Sequence, residues 1–383
     1  MMGTVSQLIA KYTDGESFST NKLCLDHHTS GAIDYDEEKY SCKTSGEKNP
    51  PSNYVSLWKE AQRIQNLPPL FCFFLDGSRR TYKVDDIVYN RRVYPEIAGQ
   101  ICVGCTQREN RQLHQYMLKK ELVVVLPAIA NKDSAKMAAP FFGNLLKKIN
   151  QNRLLAAHNI RFDEILRYSD TTTGKKQSHQ DQAVEQIQNR MMDIEKQFVM
   201  QLVKDNAIDE NHFLLKDGSL EYRSSRNASE YDLVKIKNNF RWVVGVSKSF
   251  NPEFDKDSQS KSNAQKIASL PLFHRTPAYM YRANRTGGVK YAIWYLRIRD
   301  PQYSNSPFAG IVKVEKILIT PDEEAHGLDS EMVDLISANI INERNPVCFG
   351  QDERWANHLY PIFLTETYAK SQYLSTNYFL NIF

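Results

Sequence analysis

The 383-residue chain carries 49 basic against 45 acidic side chains, a net charge of +4, and 41% of its residues are hydrophobic. That is enough apolar material for a sizeable core, which excludes wholesale disorder. Six cysteines are too few for a disulfide scaffold. The longest apolar stretch, Leu122 to Ala130, is interrupted by Pro127 and reaches about half of the ~20 residues that span a bilayer. The opening residues MMGTVSQLIAKYTDGES show no basic segment followed by an apolar run. A soluble, cytoplasmic protein with no membrane contact is therefore expected.

Residues 15–53 are polar and turn-rich, with His27 and His28 reading as surface residues. Helical spacing follows at Tyr54, Leu57, Ala61 and Ile64, ended by Pro68 and Pro69. The run Leu70 to Asp76 reads as a buried strand closed by an Asp-Gly-Ser turn, and 82–89, 92–103 and 121–126 are three more strand candidates. Within them, Cys102 and Cys105 form a lone Cys-x-x-Cys without the second pair a zinc site needs.

Residues 131–180 read as a helical insertion, with helical periodicity at 135–149 and 154–168, ending in the polar tract 171–182. A long amphipathic helix is expected from about Gln182 to Lys204, then strands at 212–217 and 240–249 around a helix near 229–238. The polar stretch 252–263 reads as a mobile loop. Residues 289–299 and 308–318 look like paired strands, and 328–342 and about 361–375 like helices. The pattern predicts an α/β protein with a polar, helical N-terminal segment over 1–66 and one domain over 67–383.

Three carboxylates stand out. Asp76 and Asp217 each end an apolar strand and precede Gly-Ser. The motif either makes a turn or holds a metal that faces phosphate. Glu195 lies in the apolar stripe of the long helix, with Met191, Met192, Phe198 and Val199 one turn away. Burying a glutamate there is costly unless it is ion-paired or binds a cation.

In this order, the two Asp-Gly-Ser motifs, the helix glutamate, GVSKS at 245–249, the strand pair YLRIRD and FAGIVKVE, and the tail RWANHLYPIFLTETYAKS resemble the NurA family of DNA-end-processing nucleases. The resemblance runs from about Asp76 to Ser371. It implies an RNase H-like mixed-sheet core with flanking helices and a two-metal site using Mn²⁺ or Mg²⁺. It also implies cleavage of DNA from ends, a homodimer, and a hexameric HerA-type DNA-translocating ATPase as partner, in end resection or phage defence.

Carried over by position, Asp76, Glu195 and Asp217 are the expected metal ligands, and Lys248 is the lysine of the VSKS strand. Lys248 either holds phosphate or is a solvated strand-end lysine. Tyr360-Pro361 matches the family's Tyr-Pro, but the family histidine eight residues on is Tyr368 here. Tyr368 is expected to hydrogen-bond at the site or simply to pack, with His358 as the other candidate for the missing histidine. Arg79, Arg80, Arg91, Arg92, Arg108 and Arg111, interleaved with Tyr82, Tyr89 and Tyr94, suit either a DNA channel or a solvated hairpin face. Arg79, Arg80, Arg108, Tyr360 and His358 are the candidate DNA contacts. The alternative function is a catalytically silent, DNA-binding subunit that regulates the translocase.

Overall fold

The apolar run that begins at Leu70 does not stop at Asp-Gly-Ser. In a computed structural model describing residues 4–26, 44–133, 137–171, 177–221, 230–252, 262–283, 288–303, 306–348 and 354–383, it continues as one strand, β5 (Phe71–Tyr89). Asp76, Gly77 and Ser78 pair in register with Gly104, Val103 and Cys102 of β6 (Arg92–Glu109), so the expected turn is replaced by ladder. The true turns are Asn90-Arg91 and, before β7 (Gln112–Pro127), Asn110-Arg111. All four of these residues have positive φ, from 48 to 68°, as a two-residue hairpin loop needs. His27 and His28, and most of the tract 252–263, lie outside the described residues.

Ahead of β5 come α1 (Val5–Thr13), the two-residue strands β1 (Glu16–Ser17), β2 (Leu23–Cys24), β3 (Thr44–Ser45) and β4 (Val55–Ser56), and α2 (Trp58–Ile64). Val5 and Ile9 of α1 are fully buried, β1 and β2 pair with β5, and Glu47 makes a buried bidentate ion pair with Arg275. The described residues of the N-terminal segment therefore pack into the core.

After β7 come α3 (Ala138–Asn150), α4 (Arg153–Ala157) and β8 (Glu164–Tyr168), which lies parallel to β7. The helix expected over 154–168 is thus only its first turn. From Glu164, Ile165, Leu166 and Tyr168 complete the sheet edge instead. Next is α5 (His179–Lys204), opened by a Ser178/Asp181 capping box. The parallel strands β9 (Phe213–Asp217) and β10 (Val243–Ser247) follow, with α6 (Glu230–Asn239) between them.

The chain continues through α7 (Ala264–Ala268), β11 (His274–Arg275), β12 (Tyr279–Ala283), β13 (Val289–Arg297) and β14 (Ile311–Ile317). It closes with α8 (Pro321–His326), α9 (Ser330–Asn342), α10 (Tyr360–Lys370) and α11 (Thr376–Leu380). The result is an α/β fold on one mixed sheet, ordered β3-β12-β13-β14-β10-β9-β5-β6-β7-β8. Among the described residues no helix is long and apolar enough to cross a membrane.

Two apolar clusters cover the two faces. The stripe Ile187, Met191, Ile194, Phe198 and Leu202 of α5 joins Leu75, Val103 and Val123 on one face, where Arg190 clamps Glu121 of β7 at 2.7 and 2.8 Å. Phe74, Leu215, Val246, Trp294, Ile336 and Ile362 form the core of the other. Two glycines record how close the helices come. A Cβ at Gly77 would lie 2.3 Å from Glu195 Oε1, whereas one at Gly104 would lie 3.6 Å from the Ala369 Cβ of α10. Strand side chains alternate, so Asp76, cross-strand from Gly104, faces α10, and its neighbour Gly77 faces α5.

Candidate metal centre

On the α10 face, Asp76 from mid-β5, Asp217 from the end of β9 and Glu366 from α10 bring one carboxylate oxygen each within 4.8 Å of one another. Asp76 is 4% exposed, and its Oδ2 is buried with no hydrogen-bond partner among the described residues. Lys248, one residue past β10, places Nζ 3.0 Å from Asp217 Oδ2 and 2.8 Å from Glu366 Oε2. Lys370 meets the other oxygen of Glu366 at 2.6 Å, and His358 Nδ1 lies 4.0 Å from Glu366 Oε2.

Asn357 fixes the lysine's backbone. Its Nδ2 donates to the Lys248 carbonyl at 2.8 Å and to that of Ile311 at 2.9 Å, while its Oδ1 accepts from Gly310 N at 2.6 Å.

The electrostatics follow from this packing. Burial first, then the negative charge of Asp217, push the Asp76 carboxyl well above the usual range, against the pull of Lys248. Burial also works against charge on Glu366, but Lys248 and Lys370 outweigh it and hold that carboxyl at about 2. Lys248 is desolvated too, yet Asp217, Glu366 and Asp76 overcome this and keep it protonated. An ionised carboxylate without a partner is costly to bury, so the orphaned Asp76 oxygen is a group that a cation would satisfy. Three hard oxygen donors fit Mg²⁺ or Mn²⁺ and do not discriminate between them.

The structure does not bring Glu195 into this cluster. Helix α5 packs on the opposite face, and Glu195 Oε2 makes an ion pair with Lys216 Nζ at 2.9 Å. The ammonium also donates to the carbonyls of Asp217 and Ser219, at 2.9 and 3.2 Å, and so braces the loop that carries Asp217. The buried glutamate has its ion pair, with a lysine of β9, the strand next to β5 in the sheet.

Tyr368 is likewise outside the cluster, because residues two apart on a helix lie about 200° around it from one another. Its hydroxyl donates to Gln115 Oε1 of β7. The side chain that α10 contributes is Glu366, which the sequence reading missed. The signal was the one that marked Glu195: Ile362, Phe363 and Ala369 surround Glu366 at helical spacing.

The arginines divide. Arg108 is spent on Glu343, at 2.7 and 2.5 Å, and on the Phe71 carbonyl. Arg79 bonds Gln188 and Asp26, and Arg80 stacks over Tyr373. Arg108, Arg111, Gln112, Leu113, His114, Tyr360, Pro361 and Leu364 line a groove of about 410 Å³. Cys102 and Cys105 are free thiols. Three residues apart on a strand they point to opposite faces, and burial raises both pKa values, that of Cys102 to about 11.

No protein-family model and no curated protein matches the chain. Among solved structures, the crystal structure of the NurA nuclease from Sulfolobus solfataricus is similar over 80% of this chain and 84% of that chain, with 9% identity and a TM-score of 0.39.

Proposed function

We propose that the chain is a metal-dependent nuclease that hydrolyses DNA phosphodiester bonds. The observation that carries the reading is the buried set Asp76, Asp217 and Glu366 with an orphaned Asp76 oxygen. The strand order supports it. A three-strand meander β5-β6-β7 leads, after α3, α4 and the edge strand β8, to α5, parallel β9, α6 and parallel β10, giving β7-β6-β5-β9-β10, the arrangement an RNase H-like core requires.

A divalent ion held by those carboxylates would neutralise charge on the scissile phosphate and activate water. The chain's own groups do the rest. Asp217 is aimed by Lys216 through its backbone carbonyl. Lys248 orients Asp217 and Glu366, helps keep Glu366 ionised, and presents positive charge where a phosphate would approach. The groove by Arg111, His114 and Tyr360 begins about 9 Å along α10 from Glu366, six residues at 1.5 Å each. It offers a cation and an aromatic ring to the flanking strand.

Purified protein with linear DNA and Mn²⁺ should release nucleotides, and chelator or Asp76→Ala should stop it. Cleavage unaffected by either would refute the proposal. From the sequence resemblance we extend it to cutting from ends, a two-fold dimer and a HerA-type hexameric ATPase as partner. A strict monomer by light scattering, alone and with such an ATPase, would reject the last two. The pairing of Glu195 with Lys216, outside the cluster, favours a second reading: a subunit that binds DNA and cuts nothing. Binding without any chelator-sensitive cleavage would identify it.

A further inference from the structure

We propose that the site takes one divalent cation per chain and that the Lys248 ammonium stands as its second, resident cation. The inference rests on the metal-dependent reading above and concerns how many ions that site accepts.

The ligand supply sets the first limit. Two ions need carboxylates enough to bridge and flank them. Among the described residues the cluster has three, Lys248 already holds one oxygen on two of them, and Glu195, expected as a metal ligand, is held by Lys216 behind the sheet. Position sets the second. Lys248 Nζ already lies between Asp217 Oδ2 and Glu366 Oε2, while Asp76 Oδ2 is buried with no hydrogen-bond partner among the described residues. Nor is the lysine on a loose segment: Asn357 ties its carbonyl to the β14 strand through Ile311 and Gly310.

Charge sets the third limit. One divalent ion together with Lys248 balances three carboxylates. A second ion would leave two uncompensated positive charges in a desolvated site.

Mn²⁺ titration of the full chain by calorimetry, with electron paramagnetic resonance of the bound ion, tests this without reference to activity. One Mn²⁺ per chain with an isolated-ion spectrum is expected. Two per chain with a spin-coupled spectrum would overturn the inference and leave the nuclease reading standing, whereas no Mn²⁺ binding would overturn both. In Lys248→Gln, loss of a like charge beside the ion should tighten Mn²⁺ binding by about tenfold or more, or admit a second ion. Lys248→Arg, which keeps the charge, should still bind one. A Lys248→Gln protein that is folded by circular dichroism and binds Mn²⁺ as the parent does would also overturn it.

Discussion

At the scale of single residues, the cluster divides side chains that look alike in sequence. Glu366 and Tyr368 are two positions apart on α10, and the helix sends one to Asp76 and the other to Gln115. We therefore expect Glu366→Gln and Asp76→Asn each to lower Mn²⁺-dependent cleavage by about 10²-fold or more, the scale of losing a group that organises transition-state charge. The double variant should be little worse than either alone, since groups that act as a unit do not add. Tyr368→Phe should stay within about twofold of the parent, since it forfeits one hydrogen bond that is remote from the cluster. Single-turnover rates on linear DNA measure all four proteins, and a crippled Tyr368→Phe would place that hydroxyl in the chemistry. Asp76 adds a pH signature. Burial and the charge of Asp217 raise the pKa of its carboxyl, and a metal needs it ionised. Mn²⁺ affinity should accordingly rise with pH, with a proton released on binding, and calorimetry in buffers of unequal ionisation enthalpy reads that proton directly.

At the scale of elements, the two faces of β5 make different demands on two glycines. Gly77 lies under α5, and an alanine Cβ there would fall 2.3 Å from Glu195 Oε1 and 3.0 Å from Met191 Cγ. Gly77→Ala should cost about 1–3 kcal/mol through overpacking and should disturb the Glu195–Lys216 pair that braces Asp217. Gly104 lies under α10 with ordinary contact distances of 3.6–3.8 Å, so Gly104→Ala should remain within about 0.5 kcal/mol of the parent. Urea denaturation of both variants checks the contrast. The same faces explain what the sequence could disclose. The apolar stripe of α5, the strands at Phe213 and Val243, and the β13–β14 pair were legible because their periodicity is local. The continuation of β5 through Asp-Gly-Ser was not, because pairing with Gly104 to Cys102 is a long-range fact that overrides turn preference. The stripe around Glu195 said that it is buried, but a helix cannot state on which side of the sheet it will pack. That choice assigned Glu195 to Lys216 and left the third carboxylate to Glu366.

At the scale of the whole molecule, the first helix and the last residues close over a second buried acid. Glu96 of β6 is 1% exposed and cross-strand from Asp85, whose carboxylate takes the Ser17 hydroxyl and the Thr20 amide. Above it α1 brings Ser6, and Val5 N donates to the carbonyl of Ile382 at 3.1 Å, so α1 and the segment after α11 meet there. Burial foremost pushes Glu96 up to about 8, with Asp85 adding to the shift and Ser6 and Lys22 offsetting part of it. The folded chain therefore keeps a proton that the unfolded glutamate releases near its ordinary 4.5. The sign is fixed by this raised value. The contribution to stability is full below about 4.5, declines by about 1.4 kcal/mol per pH unit as pH rises, and is gone above about 8. Glu96→Gln keeps the neutral shape and removes the titration. Stability of the parent should thus fall between pH 5.5 and 8 more steeply than that of Glu96→Gln, as urea unfolding at a series of pH values would show. Parallel curves across that range would mean that Glu96 is already ionised when folded, with a cation or a water supplying what the side chains around it do not.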